Sequence, residues 1–301
     1  MSTKNSDLYP NLGLSDIIKI LGDKDRKRLA LEDFSSCGVE TLSNLSYKSD
    51  GNMYHDFDIY YDNSNYEPLP TIIIVHGGGL IYGKKEVNKN LGISFAQKDF
   101  NVVNINYRLL PDVTFADQIK DVVDAFSYIY ENSSRLKLGK EKIFILSDSA
   151  GSLLSLAAFA LMKDKKFSEI FEISANALPI SAIAFISPMT GLVKSGSLSL
   201  INEPARRNLS KNQIPFLDNI LLALENTTLP PSIIITSEKD FIRNQALSLK
   251  NLLDSKNIKN KFLDFKKNPS YQLGHGFAIS HPQLAESKLV LDEIGEFFNN
   301  I

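Results

Sequence analysis

The chain contains a series of short runs of apolar, mainly β-branched residues that do not alternate with polar ones. A strand exposed on one face alternates apolar and polar side chains, whereas a strand of a parallel sheet is buried on both faces. Longer segments between the runs have helical periodicity, as at 115–130. The runs are TIIIV at 71–75, VVNIN at 102–106, KIFIL at 142–146, ISAIAFI at 180–186 and SIIIT at 232–236. Together they predict an α/β fold with a mostly parallel central sheet covered by helices on both faces.

Three segments depart from this rhythm. Residues 1–45 are polar with scattered apolar anchors, and we expect an N-terminal helical segment there. The stretch MYHDFDIYY at 53–61 alternates, which predicts a half-exposed strand. Residues 190–229 are rich in Ser, Asn and Pro, and an insertion of this length is more often a functional lid than a plain connection. We therefore divide the chain into residues 1–45 and a domain at 46–301 that contains the insertion.

The composition excludes several classes of partner. With 35 acidic and 33 basic residues, the formal charge of −2 gives no electrostatic reason to expect nucleic acid or anionic lipid. Cys37 is the only cysteine, so neither a disulfide framework nor a thiolate metal cluster is expected. The N-terminus lacks the pattern of a secretory signal, and the longest nearly apolar stretch, 153–162, is shorter than the roughly 20 residues that span a bilayer. We expect a cytoplasmic protein with no membrane span, no metal and no cofactor.

The pentapeptide SDSAG at 147–151 lies between an apolar run and a helical segment that is apolar nearly all round. A serine on a sharp strand-to-helix turn is exposed at the edge of the sheet, and small residues two before and two after it let the backbone turn tightly. Ser149 is therefore a candidate nucleophile, with Ser147 and Gly151 as the small residues. The pattern by itself is weak, since a serine that caps the helix N-terminus has the same sequence.

Three consecutive glycines follow the first of the apolar runs, in VHGGGLIYG at 75–83. Acyl transfer develops negative charge on a carbonyl oxygen, and converging backbone N–H groups stabilise it. We assign this role to the amides of Gly77 and Gly78, joined by that of Ala150. A glycine run alone is also typical of a flexible turn, but its place after a buried strand and upstream of SDSAG favours an oxyanion hole.

A serine nucleophile needs a base, and the chain has four histidines. His275 lies in a glycine-flanked loop before the last helical segment, and we favour it. His281 precedes a proline near the start of that helix, where it helps the helix begin. We expect His55 to be a surface residue of an exposed strand, and His76 to shape the glycine loop by hydrogen bonding to backbone.

The acid that orients the base is expected at the end of another strand. Asp240 follows SIIIT and precedes His275 by 35 residues, with Glu238 as the alternative. The order Ser149, Asp240, His275 is the one found in α/β-hydrolases and differs from that of the two common serine-protease folds.

With these residues in place, the chain resembles the α/β-hydrolase superfamily and, within it, the esterases similar to hormone-sensitive lipase. The resemblance covers about residues 55–299. Its markers are HGGGL at 76–80, YRLLPD at 107–112, SDSAG at 147–151, SEKDFIR at 237–243 and HGF at 275–277. The chain departs from the family where Ser147 replaces glycine and where Phe241 replaces the proline after the acid. By this resemblance Arg108 belongs to the scaffold, paired with an acid such as Asp121.

The resemblance implies an α/β-hydrolase fold with a small helical cap formed by residues 1–45 and 190–229. It implies a carboxylesterase that hydrolyses short-chain acyl esters, acetyl to butyryl, through a Ser-His-Asp acyl-enzyme mechanism. Leu80, Ile81 and Tyr82 would line the substrate pocket, and a homodimer is expected because relatives often form one. Two alternatives stay open at this point, a non-catalytic relative that binds a small molecule and an amidase or peptidase with the same triad.

Overall fold

The computed structural model describes residues 12–32, 37–62, 68–193, 197–266 and 271–301. Within these ranges the strands form one eight-stranded sheet in the order β1-β2-β4-β3-β5-β6-β7-β8. The strands are β1 (Val39–Ser46), β2 (Asp56–Asp62), β3 (Pro70–Val75), β4 (Asn101–Ile105), β5 (Gly139–Asp148), β6 (Ile180–Ile186), β7 (Ser232–Ser237) and β8 (Asn260–Phe265). Strand β2 pairs antiparallel with both β1 and β4, and all other neighbours pair in parallel.

Helices cover the sheet on both faces. The α-helices of the described chain are α1 (Leu14–Leu29), α2 (Lys89–Ala96), α3 (Phe115–Glu131), α4 (Ala150–Lys163), α5 (Lys165–Phe171), α6 (Asn202–Arg206), α7 (Ile214–Asp218), α8 (Arg243–Ser255), α9 (Phe277–Ser280) and α10 (Ala285–Asn299). In β3, Ile73 and Val75 join the core formed with α3, α4 and α8, while Ile72 and Ile74 join the core formed with α2, α9 and α10. A strand buried on both faces needs apolar residues at every position, which explains its unbroken run. The predicted mostly parallel sheet, covered on both faces, is confirmed.

Two expectations about the antiparallel edge are wrong. Residues 39–45 belong to strand β1, whose side chains are mostly exposed, so few apolar residues mark it in the sequence. Strand β2 is mostly buried because Phe57 and Ile59 join the core on one face of the sheet and Tyr60 joins the core on the other. Its Asp58 is 5% exposed and lies 2.9 Å from Lys85 Nζ. The alternating pattern predicted that Asp58 faces solvent, but the fold buries this carboxylate in an ion pair with Lys85.

The insertion at 190–229 folds into short helices that pack onto the domain. Two 3₁₀ helices, Ser197–Ile201 and Ile220–Leu224, accompany α6 and α7. The ring of Phe216 lies 4.9 Å from that of Phe167, edge to face, and Gln213 Nε2 donates to the carbonyl of Ile170 at 3.0 Å. The division into a cap and a domain stays a prediction, and residues 1–11, 33–36 and 194–196 of the cap segments lie outside the described residues.

The carboxyl ends of β3, β5, β6 and β7 meet at one edge of the sheet, since these strands are parallel neighbours. The segments that follow them carry the glycine loop, Ser149, Ser187 and Asp240 in turn. In open parallel sheets, ligands bind at this edge. No helix of the described residues is long and apolar enough to cross a membrane.

Candidate active site

Ser149 occupies the turn between β5 and α4. Its backbone angles, φ 47° and ψ −120°, lie in a region that residues with a Cβ rarely adopt. Helix α4 starts immediately afterwards and passes close to β3, since a Cβ on Gly151 would come within 2.2 Å of the Val75 carbonyl oxygen. The sharp turn therefore requires glycine at this position and projects the Ser149 side chain from the edge of the sheet.

Ser147 is accommodated without opening the turn. Its side chain is fully buried, and its hydroxyl donates to Ser152 Oγ in the first turn of α4 at 3.2 Å. A buried hydroxyl is costly only when it lacks a partner. The serine that departs from the family pattern is therefore compatible with the elbow.

His275 bridges Ser149 and Asp240. Its Nε2 lies 2.8 Å from Ser149 Oγ, and its Nδ1 lies 2.9 Å from Asp240 Oδ1. Neither alternative joins this arrangement. His281 is exposed in the turn after α9, and Glu238 pairs with Lys266 at 3.3 Å. The structure thus brings together the three residues that the sequence singled out.

Asp240 is held as an anion that faces the imidazole. Its carboxylate accepts hydrogen bonds from the Ile242 amide at 3.0 Å and the Thr236 hydroxyl at 3.3 Å. Burial alone would raise the pKa of Asp240, but His275 and the hydrogen bonds from Ser187 and Ile242 hold this pKa below its ordinary value. The ionised form accepts the Nδ1 proton of His275, which leaves Nε2 free to face Ser149.

Phe241 packs against His275. Its ring centroid lies 4.5 Å from that of His275, at an interplanar angle of 47°. The residue that replaces the family's proline therefore contributes one side of the contact surface around the imidazole.

The glycine loop is shaped by His76 and Tyr107. The His76 Nδ1 lies 2.7 Å from the carbonyl oxygen of Gly77, and the Tyr107 hydroxyl donates to the carbonyl of His76 at 2.7 Å. The two rings stack with centroids 4.3 Å apart. Burial lowers the pKa of His76 to about 4, so the imidazole is neutral at pH 7 and donates through Nδ1. The expectation that His76 hydrogen-bonds backbone in this loop is confirmed.

The assignment of Gly77 to the oxyanion hole needs correction. Its N–H already donates to Asp148 Oδ1 at 3.0 Å. Among the described residues, the N–H groups of Gly78 and Gly79 donate to no hydrogen-bond acceptor. Both residues have positive φ, 109° and 63°. Sequence spacing identifies the loop, but only the fold shows which of its amides the neighbouring carboxylate occupies.

Comparison with known proteins identifies the family of this chain. A family model described as BD-FAE matches residues 57–250, which is more than half of the chain. The chain belongs to the BD-FAE family. The match includes the glycine loop, Ser149 and Asp240, and it ends before His275.

Solved structures share the fold of this BD-FAE chain. Esterase B from Lactobacillus rhamnosus superposes with a TM-score of 0.87 at 21% identity, covering 95% of this chain and 94% of that one. A bacterial heroin esterase gives a TM-score of 0.74 at 20% identity, covering 95% and 91%. These likenesses establish the α/β-hydrolase fold that the sequence motifs implied.

Curated relatives match over shorter stretches. A putative alpha/beta hydrolase of Acanthamoeba polyphaga mimivirus is 24% identical over 189 residues, which cover 60% of this chain and 54% of that protein. An acetyl esterase of Salmonella agona is 31% identical over 105 residues, covering 33% of this chain and 32% of that one. The matched part therefore spans about half or less of these relatives.

Asp148 ties the elbow to the glycine loop. Besides the Gly77 amide, its Oδ1 accepts from Asn88 Nδ2 at 2.7 Å. Burial raises the pKa of Asp148 to about 6, against the opposing effect of these two donors. The sequence marked Asp148 only as a family match and gave no sign of this role.

We expect Asp148→Asn to stabilise the fold at pH 8. The Asp148 pKa rises from 3.8 to about 6 on folding, so the folded state binds the proton more tightly and the free energy of unfolding falls as pH rises through this window. The ionised carboxylate then costs up to about 3 kcal/mol above pH 6. Asparagine keeps an oxygen for both donors and carries no charge. Urea denaturation of both proteins at pH 4 and pH 8 measures this, and a variant less stable than the wild type at pH 8 contradicts it.

The three residues expected to line the pocket, Leu80, Ile81 and Tyr82, differ in their surroundings. Leu80 has no exposed surface and packs in the core, while its carbonyl accepts from the Gln118 side chain at 2.9 Å. It therefore does not line a solvent-accessible pocket, because the glycine loop turns its side chain inward. The side chain of Ile81 is also buried, at 4% exposure. Tyr82 is partly buried and donates its hydroxyl to Asp25 of α1 at 2.9 Å, so it links the N-terminal helix to the glycine loop.

His55 lies inside the protein, contrary to expectation. It is 3% exposed, and its ring nitrogens lie 2.6 Å from Asp50 Oδ2 and 3.1 Å from Asp121 Oδ1. The same Asp121 accepts two hydrogen bonds from the Arg108 guanidinium, at 2.7 and 2.8 Å. The expected pairing of Arg108 with Asp121 is confirmed, and Asp121 of α3 joins Arg108 and His55 in the scaffold.

Proposed function

We propose that the chain is a carboxylesterase that hydrolyses short-chain acyl esters through a Ser-His-Asp acyl-enzyme mechanism. The observation that carries the proposal is the continuous chain of hydrogen bonds from Ser149 Oγ through His275 to Asp240. A serine hydroxyl becomes an effective nucleophile when an oriented base takes its proton. The fold supplies the remaining requirement, an elbow that exposes Ser149 beside a loop of glycine amides.

The first half of the reaction forms an acyl-enzyme. Ser149 Oγ attacks the ester carbonyl while His275 Nε2 takes the hydroxyl proton, and Asp240 stabilises the imidazolium. His275 then gives the proton to the leaving alcohol. In the second half, water attacks the acyl-enzyme by the same steps and releases the carboxylic acid.

We assign the oxyanion hole to the amides of Gly78, Gly79 and Ala150. The Gly77 amide is occupied by Asp148, whereas those of Gly78 and Gly79 have no acceptor in the described contacts. Ala150 is the first residue of α4, so its N–H has no partner within the helix. One free donor at the N-terminus of α4 and two in the glycine loop suit the charge that develops on the carbonyl oxygen.

The substrate class rests on two supports. Relatives and structural neighbours are named as esterases, one of them as an acetyl esterase. In addition, a methyl group built on Gly79 would lie 3.1 Å from Ile201 Cδ1, so the insertion places an apolar side chain directly against the glycine loop. Because Ile201 lies this close to the proposed oxyanion hole, the space beside it favours small acyl groups.

The test is hydrolysis of p-nitrophenyl esters from acetate to decanoate, with matched p-nitroanilides of the same acyl groups. The proposal expects kcat/KM to be highest between acetate and butyrate and much lower on every anilide. Faster cleavage of anilides would identify an amidase. Background rates on both series would favour a relative that binds a small molecule without catalysis.

We expect Ile201→Ala to move the preference toward longer acyl chains. Removing the apolar groups of Ile201 opens space beside Gly79, and one methylene in a hydrophobic pocket is worth about 10-fold or more in discrimination. The ratio of kcat/KM for octanoate to that for acetate should rise roughly 10-fold. Leu222→Ala is the control, because Leu222 belongs to the same insertion but is 41% exposed. An equal ratio in the two variants would contradict the proposed place of Ile201 at the pocket.

A further inference from the structure

Ser187 follows β6 directly and is held in an unusual conformation. Its φ of 50° lies in the left-handed region, and the residue is only 1% exposed. Its amide donates to the carbonyl of Ile235 at 2.8 Å, which extends the pairing of β6 with β7 by one residue. A non-glycine residue keeps such a conformation only where its surroundings fix it, and such positions cluster at functional sites.

The hydroxyl of Ser187 lies between two separate parts of the triad. It accepts the N–H of Gly276, the residue after His275, at 3.0 Å. On its other side is the Asp240 carboxylate, and the Ser187 hydroxyl helps to hold the pKa of that group below its ordinary value. One side chain therefore anchors the loop that carries the base and lies beside the acid.

We propose that Ser187 is a positioning residue of the reaction, holding Asp240 and the His275 loop at the separation that the Ser149 proton transfer requires. The inference rests on the proposed function. Near-attack geometry is demanding, since a misplacement of about 1 Å can cost 10²-fold in rate. No sequence motif marks this serine, because its role depends on β6, β7 and the His275 loop meeting in space.

Ser237 provides a matched control. It is the last residue of the neighbouring strand β7 and is also 1% exposed. Its hydroxyl donates to the carbonyl of Leu273 at 2.7 Å and lies 3.5 Å from that of Gly274, and so holds the start of the His275 loop. The groups that chiefly set the pKa of Asp240 include Ser187 and not Ser237. Truncating either serine removes a buried hydrogen bond to this loop, but the Ser187 truncation also changes the surroundings of the acid.

The experiment compares Ser187→Ala, Ser187→Gly and Ser237→Ala with the wild type. On p-nitrophenyl acetate we expect both Ser187 variants to lose about 10- to 100-fold in kcat, with KM within about twofold. Ser237→Ala should keep kcat within about threefold, while thermal midpoints fall for both alanine variants. The glycine variant removes the hydroxyl and tolerates positive φ, so it tests the role if alanine impairs folding.

A second readout does not depend on turnover. The proton between His275 Nδ1 and Asp240 gives a downfield ¹H resonance, and we expect it to shift or broaden in both Ser187 variants and to be retained in Ser237→Ala. An unchanged resonance in Ser187→Gly overturns the positioning role. Equal kcat losses in Ser187→Ala and Ser237→Ala also overturn it. A wild type inactive on every ester overturns the proposed function, and the resonance still decides the role of Ser187.

Discussion

Ser149→Ala lowers kcat for p-nitrophenyl acetate by about 10⁶-fold in our expectation, to the rate that binding and the oxyanion donors alone sustain. The variant keeps the buried hydrogen bonds around the elbow, because the Ser149 hydroxyl contacts only His275 in the described structure. Alanine adopts the strained φ of the turn no less readily than serine. The loss is therefore chemical, and it is measured as kcat beside an unchanged thermal midpoint.

Ser147→Gly is the control for this result. It places glycine two residues before Ser149, as the family resemblance implies, and removes only the hydrogen bond to Ser152. We expect its kcat to stay within about threefold of the wild type, because a single neutral hydrogen bond contributes roughly 1 kcal/mol and lies outside the reacting groups. Comparable losses in Ser147→Gly and Ser149→Ala would show that the elbow's shape, and not its nucleophile, limits the reaction.

Asp240→Asn lowers kcat by roughly 10⁴-fold in our expectation, with little change in KM. The amide is nearly isosteric with the carboxylate, and its oxygen can still accept from the Ile242 amide. An asparagine, however, no longer stabilises the imidazolium, and its NH₂ group can hold His275 in the wrong tautomer. The effect falls on the transition state, so kcat and kcat/KM decrease together.

Glu238→Gln is the matched comparison for the acid. It makes the same change of charge two residues away, at a carboxylate that pairs with Lys266 near the surface. Surface ion pairs contribute at most about 1 kcal/mol to stability, so kcat should stay within about twofold of the wild type. A large loss in Glu238→Gln with a small one in Asp240→Asn would reverse the assignment of the acid.

The sequence predicted the parallel part of the fold, and it singled out the three residues that meet at the candidate site, because both leave strong local signals. Continuous apolar runs identified β3 to β7, and the residues that follow β5 and β7 supplied Ser149 and Asp240. The edge strands β1 and β8 lack this signal. β1 is mostly exposed and β8 is partly exposed throughout, so neither needs an unbroken apolar run.

The features that the sequence did not predict correctly depend on contacts between distant segments of the chain. His55 was expected at the surface because it lies in a strand that was predicted to be exposed, yet Asp50 and Asp121 pair with it in the interior. Gly77 was assigned to the oxyanion hole because spacing cannot show that Asp148 occupies its amide. Leu80 was expected in the pocket because it follows the glycines, yet the positive φ values of the loop direct it into the core.

The most direct test of the account is the mapping of covalent labelling by a p-nitrophenyl alkylphosphonate. Attack of Ser149 Oγ on phosphorus releases one p-nitrophenolate and leaves a stable phosphonyl group on the serine. We expect one adduct per chain, located by peptide mass spectrometry on Ser149, absent from Ser149→Ala and formed far more slowly in Asp240→Asn. An adduct on another residue, or equal labelling of the wild type and Ser149→Ala, would contradict it.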